Sequence, residues 1–382
     1  MSAIEQLQRE LAVAPSDRRK ALVDAFWAGP GSRTPLVEDI PGRPESRRVT
    51  FLWREDSAAA VALTVNKITL SAEDGLMERI EGTDIWFRSF ELGNAWRGGY
   101  AILPLDAEGL AGLRAMEPRW AMRTVRERGV QDPRNPRTVG THSGSASVAE
   151  LPDARAAVWT DAEGHARGTV DEHRLPNGRR VWLHRPPGDD GRIERPLVIA
   201  LDGEVWQRSG DLSNALDALH ADGGIRTPYL LLVDAEGDRR MSDLHVDGGM
   251  STEIVEVLLP WARALVPVSP VASDVIVSGE SLGGLTALKT AFDHPGVIGA
   301  ALAQSSSLWQ HDMLARAAAS APVRLYLTAG SNEELLIDAN RTLVDRLAEH
   351  GHDHAFVEFD GGHDMAWWRV LWADGIHHLL PA

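Results

Sequence analysis

The chain has 382 residues, a formal net charge of -16 and no cysteine. Its length is that of two domains rather than one. The missing thiols exclude disulfides, thiolate metal sites and a cysteine nucleophile. The acidity argues against nonspecific nucleic-acid binding, which draws its affinity from phosphate neutralisation.

Residues 1–14 read as a charged amphipathic segment with Ile4, Leu7 and Leu11 on one face. It carries no apolar h-region, which argues against secretion. No stretch approaches the roughly 18 apolar residues of a membrane span. A cytoplasmic protein with no membrane or nucleic-acid partner is therefore expected. Ser16 or Asp17 should cap a second helix that aligns Leu22, Val23 and Phe26, and Gly29-Pro30-Gly31 should stop it. Lysine occurs only at 20, 67 and 289; the Arg excess reads as codon bias.

From 48 to about 105 the pattern turns to short strands. Val49-Thr50-Phe51-Leu52-Trp53 and Val61-Ala62-Leu63-Thr64-Val65 come first, then stretches at 84–88 and 100–103. Gly, Asn and Asp punctuate the gaps, as in a small antiparallel sandwich. Trp53, Trp86, Phe87, Trp96 and Tyr100 are expected in core or inter-domain packing rather than in a ligand platform. The stretch 132–147, rich in Pro, Gly and Ser, reads as a loop bordering the next domain. The expected domains are therefore a β-sandwich over 1–150 and a second domain over 151–382.

In the second domain, apolar runs at 181–183, 197–201, 229–233, 275–277, 325–328 and 356–359 alternate with helical stretches at 213–221, 251–264, 284–293 and 334–349. This is the pattern of an α/β fold with a mostly parallel sheet covered on both faces. Its site should lie at the carboxyl ends of the strands. The run Val275-Ile276-Val277 leads into Gly279-Glu280-Ser281-Leu282-Gly283, a Gly-x-Ser-x-Gly motif followed by a helical stretch. A strand, a sharp turn and a helix would present Ser281 at the tip of an α/β-hydrolase elbow.

A serine hydroxyl needs a base to remove its proton. His363 is the candidate, because it follows the last strand in Phe359-Asp360-Gly361-Gly362-His363-Asp364. The two glycines suggest a flexible loop able to bring the imidazole over Ser281. His184, His294, His377 and His378 read as surface or packing residues. The acid should lie between nucleophile and base in chain order. Glu333 is chosen, with Glu334 and Asp338 as alternatives; Asp364 ranks lower because a sequence neighbour rarely folds back onto its own imidazole. The Leu282 N–H and a donor from the loop around Gly203 are the expected oxyanion hole. His350, His352 and His354 could suggest a metal cluster, but they lack the H-x-H-x-D-H spacing of binuclear hydrolases and no second shell is apparent. No cofactor and no metal are expected.

The chain resembles the enterochelin (enterobactin) esterase family. The resemblance rests on Val49-Thr50-Phe51-Leu52-Trp53-Arg54, Gly82-Thr83-Asp84-Ile85-Trp86 and Asp132-Pro133-Arg134-Asn135-Pro136 in the first half. In the second half it rests on Leu201-Asp202-Gly203 with Trp206, Arg240-Met241-Ser242-Asp243-Leu244, Gly279 to Gly284, Gln304-Ser305-Ser306 with Trp309, and Gly361-Gly362-His363-Asp364 with Trp367-Trp368-Arg369. It implies a sandwich domain on a serine esterase that hydrolyses the trilactone of a ferric catecholate siderophore in the cytoplasm, with Glu333 as the acid. Asp243 stands where the family usually has Glu, and His245-Val246-Asp247 where it has Pro-Cys-Asn. Arg240, Trp206 and Trp309 are the expected substrate contacts, and Arg240, Arg208, Arg134 and Arg137 the expected cationic cluster for an anionic ligand. An esterase for another acyl ester, of feruloyl or polyester type, is the alternative.

Overall fold

The structure, a computed structural model, describes residues 1–235, 237–311 and 313–382. The chain divides into two compact units. One comprises residues 1–154 and 360–366, the other 155–359 and 367–382.

The first unit opens with helices Ala3–Val13 and Ser16–Ala28. The first is started by a capping box: Ser2 Oγ accepts the Glu5 N–H at 3.1 Å and Glu5 Oε2 accepts the Ser2 N–H at 2.8 Å. Two orphan donors of the helix end are thereby satisfied. Eight strands follow: β1 (Leu36–Ile40), β2 (Arg43–Arg54), β3 (Ala60–Val65), β4 (Glu78–Arg79), β5 (Ile85–Gly93), β6 (Arg97–Leu105), β7 (Thr138–Thr141) and β8 (Gly144–Glu150). They form two antiparallel sheets, in the orders β1-β2-β5-β4 and β3-β6-β8-β7.

Strand periodicity explains how each sheet is covered. Val49 and Phe51 enter a core with Val61, Leu63, Trp96 and Tyr100, whereas Leu52 joins Ile4, Leu7 and Phe26 of the opening helices. Behind the second sheet, Leu103 and Leu105 meet Leu113, Ala121 and Val125 of helices Ala107–Arg114 and Pro118–Arg128. Each sheet thus carries its own helical layer. Trp86, Trp96 and Tyr100 are core residues, and Trp53 packs against the same cluster.

The second unit is an eight-stranded sheet. Its strands are β9 (Thr169–Arg174), β10 (Arg180–Arg185), β11 (Leu197–Ala200), β12 (Tyr229–Val233), β13 (Val275–Glu280), β14 (Ala300–Gln304), β15 (Arg324–Gly330) and β16 (Asp353–Phe359), in the order β16-β15-β14-β13-β11-β12-β10-β9. β10 runs antiparallel to both its neighbours, β9 and β12; β11 through β16 are parallel to one another. Every residue of β11, β12, β13 and β14 is buried. A sheet covered on both faces demands such unbroken apolar runs. From β11 the chain moves to β12 on one side and then to β13 on the other, so the strand order reverses at β11. That reversal opens a crevice beyond the carboxyl ends of β11 and β13, the usual location of a ligand in this architecture. Among the described residues no helix is long and apolar enough to cross a membrane.

Candidate active site

Ser281 lies where β13 passes into helix Leu282–Asp293, with φ 58° and ψ -115°. For a residue with a Cβ this is strained backbone, and such strain gathers at functional sites. The flanking glycines permit it. A Cβ on Gly279 would lie 2.5 Å from the carbonyl carbon of Gly283, so strand and helix could not approach with any larger residue. The elbow is tied to the next strand at both ends: the Ser281 N–H donates to Gln304 O at 2.9 Å, and the Ser307 N–H donates to Ser281 O at 2.9 Å.

The neighbouring parallel strand ends the same way. Asp202 has φ 53° and caps helix Gly203–Ser209. A Cβ on Gly203 would lie 2.3 Å from the Val233 nitrogen, which explains the glycine. Gly283 faces Leu201 and Asp202, where its Cβ would meet the Leu201 Cβ at 3.4 Å. Two helix N-termini therefore start side by side, at Leu282 and at Gly203. The first N–H groups of a helix have no intrahelical acceptor and carry partial positive charge. The two donors expected of an oxyanion hole thus belong to adjacent elements.

The charges beneath the elbow are arranged to leave it neutral. Asp202 is fully buried, and its two oxygens accept Arg240 Nε at 2.5 Å and Nη2 at 2.6 Å. Burial opposes the charge on Arg240, but Asp202 more than offsets it and raises the guanidinium pKa. Glu280, next to Ser281, is buried. Desolvation first, then the field of Asp202, push its pKa well above 4.5, while Trp206 hydrogen-bonds to it and Arg240 opposes the shift. Glu204 is raised for the same two leading reasons. A carboxylate left ionised here would oppose an oxyanion; pairing one and holding the others toward the neutral form removes that repulsion.

Glu333 is 1% exposed. Its Oε1 accepts Ser305 Oγ at 2.6 Å and the Gly330 N–H at 2.9 Å. Ser305, itself at φ 46°, accepts Trp368 Nε1 at 2.9 Å. Ser307, two residues on, places its Oγ 3.2 Å from Ser281 Oγ. The segment following β14 therefore touches both Glu333 and Ser281. Glu334 and Asp338 are exposed, and Asp338 pairs with Arg341 at 3.1 Å. Geometry thus favours Glu333 among the three acids.

His363 lies in the first unit, on the stretch 360–366. Its backbone is held by one side chain: the His363 N–H donates to Asn66 Oδ1 at 2.7 Å, and Asn66 Nδ2 donates to His363 O at 2.9 Å. Asp364 continues the attachment by accepting the Gly99 N–H at 2.7 Å, and the Arg97 N–H donates to Asp360 O at 3.1 Å. Gly362 is required by closeness, since a Cβ there would lie 2.4 Å from Asn66 Oδ1 and 2.8 Å from the Lys67 Cβ. The glycine read as a source of flexibility is instead a site of tight packing.

Several expected contacts are corrected. Trp206 is 2% exposed and serves Glu280, so it offers no face to a ligand. Arg240 is engaged with Asp202, Arg137 pairs with Glu150 at 2.9 Å, and Arg134 stacks 4.4 Å above the Trp27 ring. Three of the four cations expected to form a cluster are thus committed elsewhere; Arg208 ends helix Gly203–Ser209. Trp309 is 63% exposed and remains available. His352 is buried, with Nδ1 accepting the Val323 N–H and Nε2 bonded to Ala317 O, so it holds structure rather than metal. His184 is likewise committed, to Asp217 at 2.9 Å. Asp243, at the family-variable position, binds Arg179 at 2.9 Å.

Sequence reasoning assigned no role to Ser307, Ser305 or Asn66. The two serines stood inside a stretch already singled out, which was their one signal. Asn66 carried none.

Residues 48–160 match the family model described as enterochelin esterase, N-terminal, and residues 173–379 match that described as putative esterase. The iron(III) enterobactin esterase of Dickeya dadantii is 30% identical, over 91% of this chain and 90% of its own. The iron(III) salmochelin esterase of Escherichia coli is 29% identical, over 98% and 97%. Among solved structures, the ferric enterobactin esterase of Salmonella typhimurium superposes with a TM-score of 0.81 at 28% identity, covering 93% of this chain and 98% of the other. The Shigella flexneri enterobactin esterase in the presence of enterobactin gives 0.80 at 27%, covering 93% and 97%.

Proposed function

Because the chain belongs to the enterochelin esterase family, we propose that it is a serine esterase that opens the trilactone of a ferric catecholate siderophore. The observation that carries the reading is Ser281 at φ 58° on a strand–helix elbow, beside a second helix N-terminus at Gly203.

Ser281 Oγ attacks an ester carbonyl of the trilactone as His363 takes its proton. Glu333 orients the imidazole and stabilises its positive charge. The carbonyl oxygen becomes an oxyanion that accepts from the N–H groups of Leu282 and Gly203; losing one such donor costs about 3 kcal/mol of transition-state stabilisation. Collapse of the intermediate breaks the ester C–O bond, and His363 returns the proton to the departing seryl hydroxyl. Water, deprotonated by His363, then releases the acyl group from Ser281. The iron is cargo rather than cofactor; opening the ring removes the preorganisation that lets three catechols hold one ion. Release is of use where iron is consumed, which suggests the cytoplasm. Trp309 supplies an exposed ring for a catechol.

The test is mass spectrometry of products from ferric enterobactin with wild type, Ser281→Ala and His363→Ala. Linearised and monomeric products are expected from wild type alone. Product formation by a folded Ser281→Ala protein at wild-type rate would overturn the reading.

A further inference from the structure

The chemistry above leaves one hydroxyl beside Ser281 unused. Ser307 is 2% exposed, and its Oγ lies 3.2 Å from Ser281 Oγ. Among the described residues that hydroxyl has no other hydrogen-bond partner. The contact is held by the main chain. The Ser307 N–H donates to Ser281 O and the Ser281 N–H to Gln304 O, each at 2.9 Å, so the two serines are bonded backbone to backbone. The Ser305 N–H donates to Thr328 O at 2.7 Å and the Gln310 N–H to Ser307 O at 3.0 Å, which fixes the segment on either side of Ser306. Ser305 follows this path at φ 46°, uncommon backbone for a residue with a Cβ. A Cβ on Gly284 would lie 2.7 Å from Ser306 Oγ and 3.0 Å from Gln304 O. The glycine after Gly283 therefore admits the segment against helix Leu282–Asp293.

Proton counting sets the direction of the bond. A serine hydroxyl has one proton to donate and lone pairs with which to accept. The single proton of Ser281 goes to the base, so in the reacting arrangement Ser281 Oγ accepts and Ser307 donates. As that proton leaves, negative charge grows on Ser281 Oγ. A contact that is long at 3.2 Å between two neutral hydroxyls then becomes a charge-assisted bond, shorter and stronger. Hydrogen bonds at catalytic groups commonly tighten only once substrate is bound. A bond that is stronger in the transition state than in the ground state accelerates the reaction, and one that is equal in both does not. Because the donor is fixed in advance by the backbone, it needs no reorganisation at the moment of reaction.

We propose that Ser307 is a further catalytic residue, a fixed hydrogen-bond donor to Ser281 Oγ that stabilises the charge on that oxygen as it attacks. It does so again when water has attacked the acyl-enzyme and Ser281 Oγ is expelled. The Ser307 proton stays on Ser307 throughout, and the Ser281 proton still travels to and from the base. The inference rests on the reading of Ser281 as nucleophile, and it holds for any ester that Ser281 opens.

The second-order rate of labelling by a fluorophosphonate, with the modified residue located by peptide mass spectrometry, reads the reactivity of Ser281 directly. It is measured on full-length wild type, Ser307→Ala and Ser306→Ala, beside kcat and KM for a chromogenic aryl ester. Ser306→Ala makes the same truncation one residue away, at a buried hydroxyl with no partner among the described residues, and should match wild type. Ser307→Ala should slow both labelling and kcat about 10- to 150-fold with KM unchanged, as expected for losing a hydrogen bond to a charged oxygen. If Ser307→Ala misfolds by circular dichroism, Ser307→Cys decides instead, since it keeps the shape and offers only a weak S–H donor. Labelling of Ser281 within about twofold of wild type in the folded variant would overturn the donor role. Faster labelling would overturn it too, by showing that Ser307 draws the Ser281 proton away from the base. An equal loss in Ser306→Ala would reduce Ser307 to packing. A wild type that takes no label on Ser281 would sink the nucleophile reading and this inference with it, whereas a labelled wild type matched by Ser307→Ala sinks the inference alone.

Discussion

Asn66 gives the sharpest test of how the proposed base is held. Its amide clamps the backbone of His363 from both sides, donating at 2.9 Å and accepting at 2.7 Å. Replacement by alanine removes both bonds. A typical intramolecular hydrogen bond contributes about 0.5–1.5 kcal/mol, so the pair holds His363 in place by about 1–3 kcal/mol. If that energy selects the catalytic position of the loop, its loss lowers kcat by about 5- to 150-fold, at a factor of ten per 1.4 kcal/mol. KM should change little, because the bonds go to the loop backbone rather than to substrate. Asn66→Asp should fall between, since it keeps an acceptor for the His363 N–H but turns a second oxygen toward the His363 carbonyl. The assay is steady-state hydrolysis of a chromogenic aryl ester from pH 5 to 9, with His363→Ala as the floor and thermal melting as the control for folding. A kcat within twofold of wild type in a folded Asn66→Ala protein would refute the reasoning, and a rise in KM alone would assign Asn66 to ligand contact instead.

Three further outcomes are expected. Ser305→Ala removes the 2.6 Å donor to Glu333 and the acceptor of Trp368 Nε1, so kcat should fall about 10- to 150-fold with loss of a charge-assisted bond worth about 1.5–3 kcal/mol; wild-type turnover would dissociate Ser305 from Glu333. Arg240→Ala leaves the fully buried Asp202 without its bidentate partner, and urea unfolding should show a loss of about 3–5 kcal/mol. Glu280 has a folded-state pKa raised above its unfolded value near 4.5, so between those two values the folded state holds the extra proton. Its contribution therefore falls as pH rises through that window, and the stability gain of Glu280→Gln over wild type should grow from pH 4.5 upward in melting curves; a difference flat with pH would show that Glu280 is not held protonated.

The sequence by itself determined the elements whose cause is local. The period-two alternation from 49 to 65 marks strands with two distinct faces, and unbroken apolar runs such as Leu197 to Leu201 mark a doubly covered sheet. The Gly279–Gly283 spacing marks an elbow because only glycine permits the 2.5 Å approach found there. The chain order of the proposed nucleophile, acid and base, Ser281, Glu333 and His363, is likewise a reading of the sequence. Where side chains end up was not legible there. Trp206 and Arg240 looked like ligand contacts because aromatic and cationic residues near an oxyanion loop suit a catecholate. Folding buried one and paired the other with Asp202, because a carboxylate below an oxyanion site must be neutralised. The seven residues around His363 show the division most clearly. In sequence they follow a strand of the esterase domain, and in space they group with the first unit. Asn66 lies 297 positions away, and no periodicity or motif can announce a hydrogen bond between residues that only the tertiary fold brings together.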